Sequence, residues 1–227
     1  MIRENIAEVN ARILQVCTRI NRDAGQVTLV AVSKGRPVEQ IQEAVDAGIA
    51  DIGENKVQEA LVKYNIIRDT QHASRIKWHM IGHLQTNKVR DAVKIFDLIH
   101  SVDSITLAQE INRQAGKINK VQDILVEVNT SGEKAKFGVP LSCACEMIQE
   151  MPRFKNIKVK GLMTVAPAAE NAEETRPYFR ALKELLEDSN VLPVTSGVLS
   201  MGMSDDYEVA IEEGSTMVRL GRSVFEG

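Results

Sequence analysis

Eight apolar, β-branched runs of strand length, each separated from the next by a longer stretch, constrain this chain more than any other feature. They read VTLVAVS (27–33), ADIG (50–53), IKWHMIG (76–82), LIHSV (98–102), DILVEVN (123–129), KVKGLMT (158–164), VTSGVLS (194–200) and TMVRLG (216–221). Runs this apolar suit strands covered on both faces. The intervening stretches carry helical period. The first helix is predicted over Ile2 to Arg22, with Ile6, Val9, Ile13, Val16 and Ile20 on one face. VEQIQEAVDAG follows Pro37 and stops at Gly48. SDDYEVAIEEG takes Ser204 as its N-cap, Asp205 and Asp206 in its first turn, and Gly214 as its stop. Strands alternating with helices at this density predict an α/β fold, a closed (β/α)8 TIM barrel with an extra N-terminal helix. An open doubly wound sheet is the alternative. It usually carries G-x-G-x-x-G after the first strand, and SKGRPV is not that motif. The polar segment 65–76, NIIRDTQHASRI, reads as a loop too short to divide domains. One domain over residues 1–227 is expected.

A barrel presents the C-terminal ends of its strands at the mouth that holds the site. Those ends supply Lys34 after the first strand, Glu54 and Asn55 after the second, and His83 after the third. Asn129 follows the fifth, Met163 and Thr164 the sixth, Ser200 to Gly202 the seventh, and Arg219 to Arg222 the eighth. Lys34 is either a solvated amine or one placed to form a Schiff base with an aldehyde. LSMGMSDD (199–206) and RLGRS (219–223) fall after the seventh and eighth strands, where barrels often bind phosphate. The plain alternative is two ordinary capped turns. HMIGH puts His79 and His83 four apart, but on a strand that spacing separates them by about 13 Å. With no third ligand close in sequence and no carboxylate cluster, no metal is expected.

Charged residues make up 26% of the 227 and the formal net charge is −3, which offers no bulk attraction to nucleic acid or anionic membrane. Aromatics at 4% leave few stacking platforms, and RFKNIKVK (153–160) reads as a solvated face. No apolar run approaches the ~20 residues of a membrane helix. The amphipathic start MIRENIAEVNARILQVCTRI carries acids, unlike a signal or transit peptide. Three cysteines, Cys17, Cys143 and Cys145, fit a reducing cytoplasm.

The motifs AVSKGRPVEQIQEAVDAG, IGENKVQEA, KWHMIGHLQTNK, HSVDS, VNTSGEKAKFGV, GLMTVAP and LSMGMSDDYEVAIEEGSTMVRLGRSVF run almost end to end. Together they resemble the pyridoxal phosphate homeostasis protein family, whose barrel is similar to the N-terminal domain of alanine racemase. The resemblance implies pyridoxal 5′-phosphate held as an internal aldimine on Lys34, with Asn55 beside the ring. It implies Ser200, the Met201 backbone, Gly221 and Arg222 at the phosphate, and Arg219 facing the pyridine nitrogen. Two departures stand out. Position 222 is often threonine or serine in the family and is Arg222 here, and VFEG replaces the more usual FG close. The implied function is intracellular vitamin B6 homeostasis without turnover. The cofactor would pass to apo-enzymes, and amino-acid and keto-acid pools would be balanced indirectly. An amino-acid racemase, a cofactor-free Schiff-base aldolase and a scaffold-like interaction protein are the competing classes. Barrel enzymes of this cofactor class complete their sites across a dimer with an added β domain. This chain stops just after the eighth strand, so a monomer is expected.

Overall fold

The computed structural model describes residues 1–188 and 197–226. Helix α1 (Ile2–Arg19) comes first. Then follow β1 (Thr28–Val32), α2 (Val38–Asp46), β2 (Asp51–Glu54), α3 (Val57–Ile67), β3 (Lys77–Met80), α4 (Val89–Ile95), β4 (Leu98–Val102) and α5 (Ile105–Lys117). The second half holds β5 (Gln122–Asn129), β6 (Val139–Pro140), α6 (Leu141–Glu150), β7 (Ile157–Met163), α7 (Arg176–Glu187), β8 (Val198–Ser200), α8 (Tyr207–Glu212), β9 (Met217–Leu220) and α9 (Arg222–Phe225). Among the described residues all strand pairings are parallel. β1 pairs with both β2 and β9, and β4 pairs with β5, so eight strands close into a barrel. The two-residue β6 stands outside that ring, clipped beside the end of β5 at Val128 and Asn129. It is too short to leave a periodic trace in the sequence.

Period two along each strand separates two cores. Val30, Leu98, Leu125, Met163 and Met217 pack inside the barrel. Their neighbours, such as Ala31, Ile99, Ile124 and Leu162, join the larger core under the helices. The Ile2, Ile6, Val9, Ile13 and Val16 stripe of α1 is buried, and α1 contacts α2, α8 and α9, across the seam where the first and last strands meet. Asn5 Nδ2 donates to the Val224 carbonyl (3.1 Å) and Arg22 to that of Ile211 (3.2 Å), fastening the seam.

Several boundaries differ from expectation. Helix α1 ends at Arg19, and Asn21 turns the chain with φ 54°. Helix α3 runs to Ile67, so the polar segment 65–76 begins helical. It then holds His72 against Asp46 Oδ1 (3.0 Å), which makes it an anchored connection. Helix α8 starts at Tyr207, not at Ser204. Asp206 precedes it and accepts the Met203 N–H (2.6 Å), which spends the cap in a tight turn. In the seventh predicted strand, β8 covers Val198–Ser200, and residues 194–196 lie outside the described residues.

Gly161 sits beside a register shift between β5 and β7, opposite Val198. A Cβ there would lie 2.6 Å from the Val198 carbonyl carbon and 2.7 Å from its Cα. Backbone in a barrel wall cannot yield as a side chain can. Gly161→Ala is expected to cost about 3 kcal/mol, which in a chain of this size lowers Tm by roughly 6–12 °C. Scanning calorimetry measures it, and an unchanged Tm contradicts the close approach.

Candidate functional site

A cleft of about 360 Å³ opens at the C-terminal ends of the barrel strands and is lined by Val32, Lys34, Asn55, Ile81, Val165, Met203, Ser204, Asp205, Arg219, Gly221 and Arg222. A larger groove of about 770 Å³ lies along the 129–142 loop and contains none of the expected site residues other than the strand-end Asn129.

Alternation delivers Lys34. Val32 lines the cleft, Ser33 turns outward and is buried, and Lys34 returns to the cleft with its side chain exposed. Gly35 then takes φ 70°, which lets the chain turn away at once. The same alternation separates the pair after β2. Asn55 lines the cleft, while Glu54 points out of the barrel and is buried against α3, bonded to Lys63.

Arg219 forms part of the inner face of the cleft. Its Nη1 donates to Ser200 Oγ (2.7 Å) and its Nη2 to the Thr164 carbonyl (2.9 Å). Burial pushes its guanidinium down to about 10, with Glu127 and Asp206 opposing, so it stays charged at neutral pH. Glu127 faces the same interior, and its Oε2 has no hydrogen-bond partner among the described residues. Burial pushes its carboxyl up to about 7, helped by Asp103 and opposed by Arg219.

Ser200 is fully buried below the cleft and does not line it. It heads a buried chain. His100 Nδ1 lies 3.0 Å from Ser200 Oγ, His100 Nε2 lies 2.9 Å from His79 Nδ1, and His79 Nε2 lies 2.9 Å from Asp51 Oδ1. Burial, with His79 and Arg219 adding, holds His100 well below the usual histidine range. Ser200 Oγ accepts from Arg219 Nη1 on one side and lies against His100 Nδ1 on the other. Ser200 Oγ is thus held between two buried side chains. The Met201 N–H likewise donates to the Met217 carbonyl (3.1 Å), extending the wall between β8 and β9. Neither Ser200 nor Met201 lines the cleft, and the hydroxyl on its wall is that of Ser204.

Ser204 Oγ accepts the Ser223 N–H (3.4 Å), which leaves its own proton to give. Beside it, the backbone N–H groups of Gly221 and Arg222 have no hydrogen-bond partner among the described residues. The Arg222 side chain is paired with Asp205 at the rim. Gly202 makes the turn possible. Its φ is 94°, and a Cβ would stand 2.6 Å from that of Ala210. The result is a hydroxyl and two peptide donors on one side, an amine on another and a guanidinium beneath. Such a site suits an anionic group joined to a carbonyl.

His79 and His83 go to different places. His79 belongs to the buried chain, whereas His83 stacks on Phe137 with ring centroids 3.9 Å apart and approaches Asp103 (3.6 Å). Sequence reasoning missed His100, Glu127 and Ser204. For the first two, period two along the strand, counted from inward Leu98 and Leu125, was the available signal.

The profile of the alanine racemase N-terminal domain matches residues 5–227. The chain is 44% identical over 223 residues to the pyridoxal phosphate homeostasis protein of Aquifex aeolicus, covering 98% of this chain and 96% of that one. It is 34% identical to PipY of Synechococcus elongatus, solved with PLP bound, at TM-score 0.83 over 99% of this chain and 100% of PipY. A more distant likeness to alanine racemase of Clostridium difficile, 14% identical with TM-score 0.76 over 98% of this chain and 56% of the racemase, shows a common fold.

Proposed function

Because the chain belongs to the pyridoxal phosphate homeostasis protein family, with the alanine racemase N-terminal fold, we propose that it binds pyridoxal 5′-phosphate in the Lys34 cleft and holds that cofactor for delivery. The observation that carries this reading is the meeting of Lys34, Arg219 and the unpartnered Gly221 and Arg222 N–H groups around one cleft. When bound, the cofactor supplies an aldehyde that condenses with a primary amine, and Lys34 is the amine in the cleft. Ser204 and the two peptide N–H groups would donate to the phosphate, and Asn55 would border the ring. Arg219 has donors only, so a ring nitrogen set against it must accept and remain unprotonated. That form withdraws electrons more weakly than a pyridinium. Holding the cofactor is favoured over carbanion chemistry.

A racemising site also needs proton carriers on both faces of the cofactor. Tyr64, Tyr178 and Tyr207 lie on α3, α7 and α8, outside the barrel, so no tyrosine faces Lys34 across the cleft. The proposed role is to mask a reactive aldehyde, pass it to apo-enzymes, and so steady vitamin B6 and the amino-acid and keto-acid pools. We place this activity in a cytoplasmic monomer. Among the described residues no helix is long and apolar enough to cross a membrane. Holo-protein incubated with single amino-acid enantiomers in deuterium oxide should show no catalytic washout of the α-proton, and mixed with a defined apo-enzyme it should restore that enzyme's activity. Washout abolished by Lys34→Ala would make the protein an enzyme.

A further inference from the structure

Behind the Lys34 loop, between β2 and α3, lies a cluster of charges that does not line the cleft. Glu54 is fully buried and Lys63 is 6% exposed. All three ammonium protons of Lys63 are engaged. They go to the Ser33 carbonyl (2.6 Å), Glu54 Oε1 (2.6 Å) and Glu59 Oε1 (2.7 Å). Two further bonds run from the same carboxylates to the loop. Ser33 Oγ donates to Glu54 Oε1 (2.5 Å), and Glu59 Oε1 accepts the Gly35 N–H (2.6 Å). The residues on both sides of Lys34 are thus tied to side chains of β2 and α3, while Lys34 itself makes no hydrogen bond to a described residue. Burial pushes the Glu54 carboxyl up against the pull of Lys63 and Ser33. For Glu59, burial is outweighed by Lys63 and the Gly35 N–H, which hold it low.

A buried ion cluster is weak support for stability, since apolar residues of similar volume often do as well. Its place beside one backbone segment suggests a geometric task. We propose that Glu54, Lys63 and Glu59 are positioning residues that clamp the Ser33 and Gly35 peptides and so fix the pivot from which the Lys34 side chain reaches into the cleft. A lysine has four rotatable stem bonds. With its Cα also mobile, its amine would spread over a larger volume and meet a carbonyl in the cleft less often. Holding the pivot raises the effective concentration of the amine where it reacts.

The clamp rests on the cofactor reading only for its use, and two independent readouts separate them. The first is amide hydrogen exchange of Gly35 in the protein without cofactor. The second is the rate at which pyridoxal 5′-phosphate with borohydride labels the Lys34 peptide. Glu59→Ala removes the acceptor of the Gly35 N–H. It is expected to speed exchange of that amide at least about tenfold and to slow Lys34 labelling by about tenfold. Glu59→Gln keeps an acceptor and should restore most of both. Lys63→Met should exceed Glu59→Ala in both readouts. If it does not fold, the Glu59 pair decides alone, since the Glu59 side chain is 31% exposed. Native exchange and labelling rates in Glu59→Ala overturn the clamp, as does exchange raised equally across all of β1 to β3. Should the unaltered protein take no label on Lys34, the cofactor reading fails, and the exchange measurement still decides the clamp.

Discussion

Lys34→Ala is expected to leave the protein folded but colourless once purified away from free pyridoxal 5′-phosphate, with no borohydride-fixed label on any peptide. The side chain is exposed and outside both cores, so its truncation should change stability by no more than about 0.5 kcal/mol. The effect on the ligand is of a different order. The other amine close behind it, that of Lys63, is buried and has all three protons committed, so it offers no lone pair as a substitute. Weak binding through the phosphate group should persist, because the Ser204, Gly221 and Arg222 donors do not depend on Lys34. Absorbance of the purified variant and peptide mapping after reduction check this. Label carried by a second lysine in the variant would overturn the assignment of Lys34.

Why Lys34 was legible in the sequence while its surroundings were not has a physical reason. A strand covered on both faces has to be apolar almost throughout, so each barrel strand announces itself and its end. VTLVAVS ends at Ser33, and the next residue enters the mouth. Partners inside the barrel are set by register between strands far apart in sequence. His79 pairs in register with Leu98, which places His100 one pleat further along, within reach of His79 on one side and Ser200 on the other. Nothing in HMIGH or LIHSV read alone announces that chain. Glu54 shows the converse. It was grouped with the mouth because it sits at a strand end, yet alternation from the inward Asp51 turns it outward to Lys63. Ser200 and Ser204 show how a turn defeats motif reading. Both lie in one eight-residue motif, but the Asp206 bond to Met203 folds the segment so that Ser204 lines the cleft and Ser200 stays beneath it. The motif contains both hydroxyls, and only the folded backbone distinguishes the one that lines the cleft.

That distinction sets up the other large effect. Phosphate-free pyridoxal should bind far more weakly than the phosphorylated cofactor, and the difference should pass through Ser204. A phosphate monoester carries roughly −1.5 to −2 charges at neutral pH, and hydrogen bonds to a charged group are worth about 1.5–3 kcal/mol each. Two peptide N–H groups and one hydroxyl are available at Gly221, Arg222 and Ser204. The full sum overstates the gain, because the cleft is open to water and the Asp205 carboxylate stands at the rim beside Arg222. A net preference of about 4 kcal/mol, or roughly 10³-fold, is the expected result. Titration of the Lys34→Ala protein measures it cleanly, since no covalent link then mixes with the phosphate contribution. In that background Ser204→Ala should weaken the phosphorylated ligand by about tenfold and leave phosphate-free pyridoxal unchanged. Ser200→Ala should act on both ligands alike, because it releases Arg219 Nη1 and breaks the chain to His100 without removing a donor from the cleft wall. If instead Ser200→Ala selectively weakened the phosphorylated form, the anion would have to sit deeper in the barrel than the cleft allows. Equal affinities for the two ligands in the Lys34→Ala protein would mean that the turn at Ser204 and the Gly221–Arg222 peptides hold no phosphate at all.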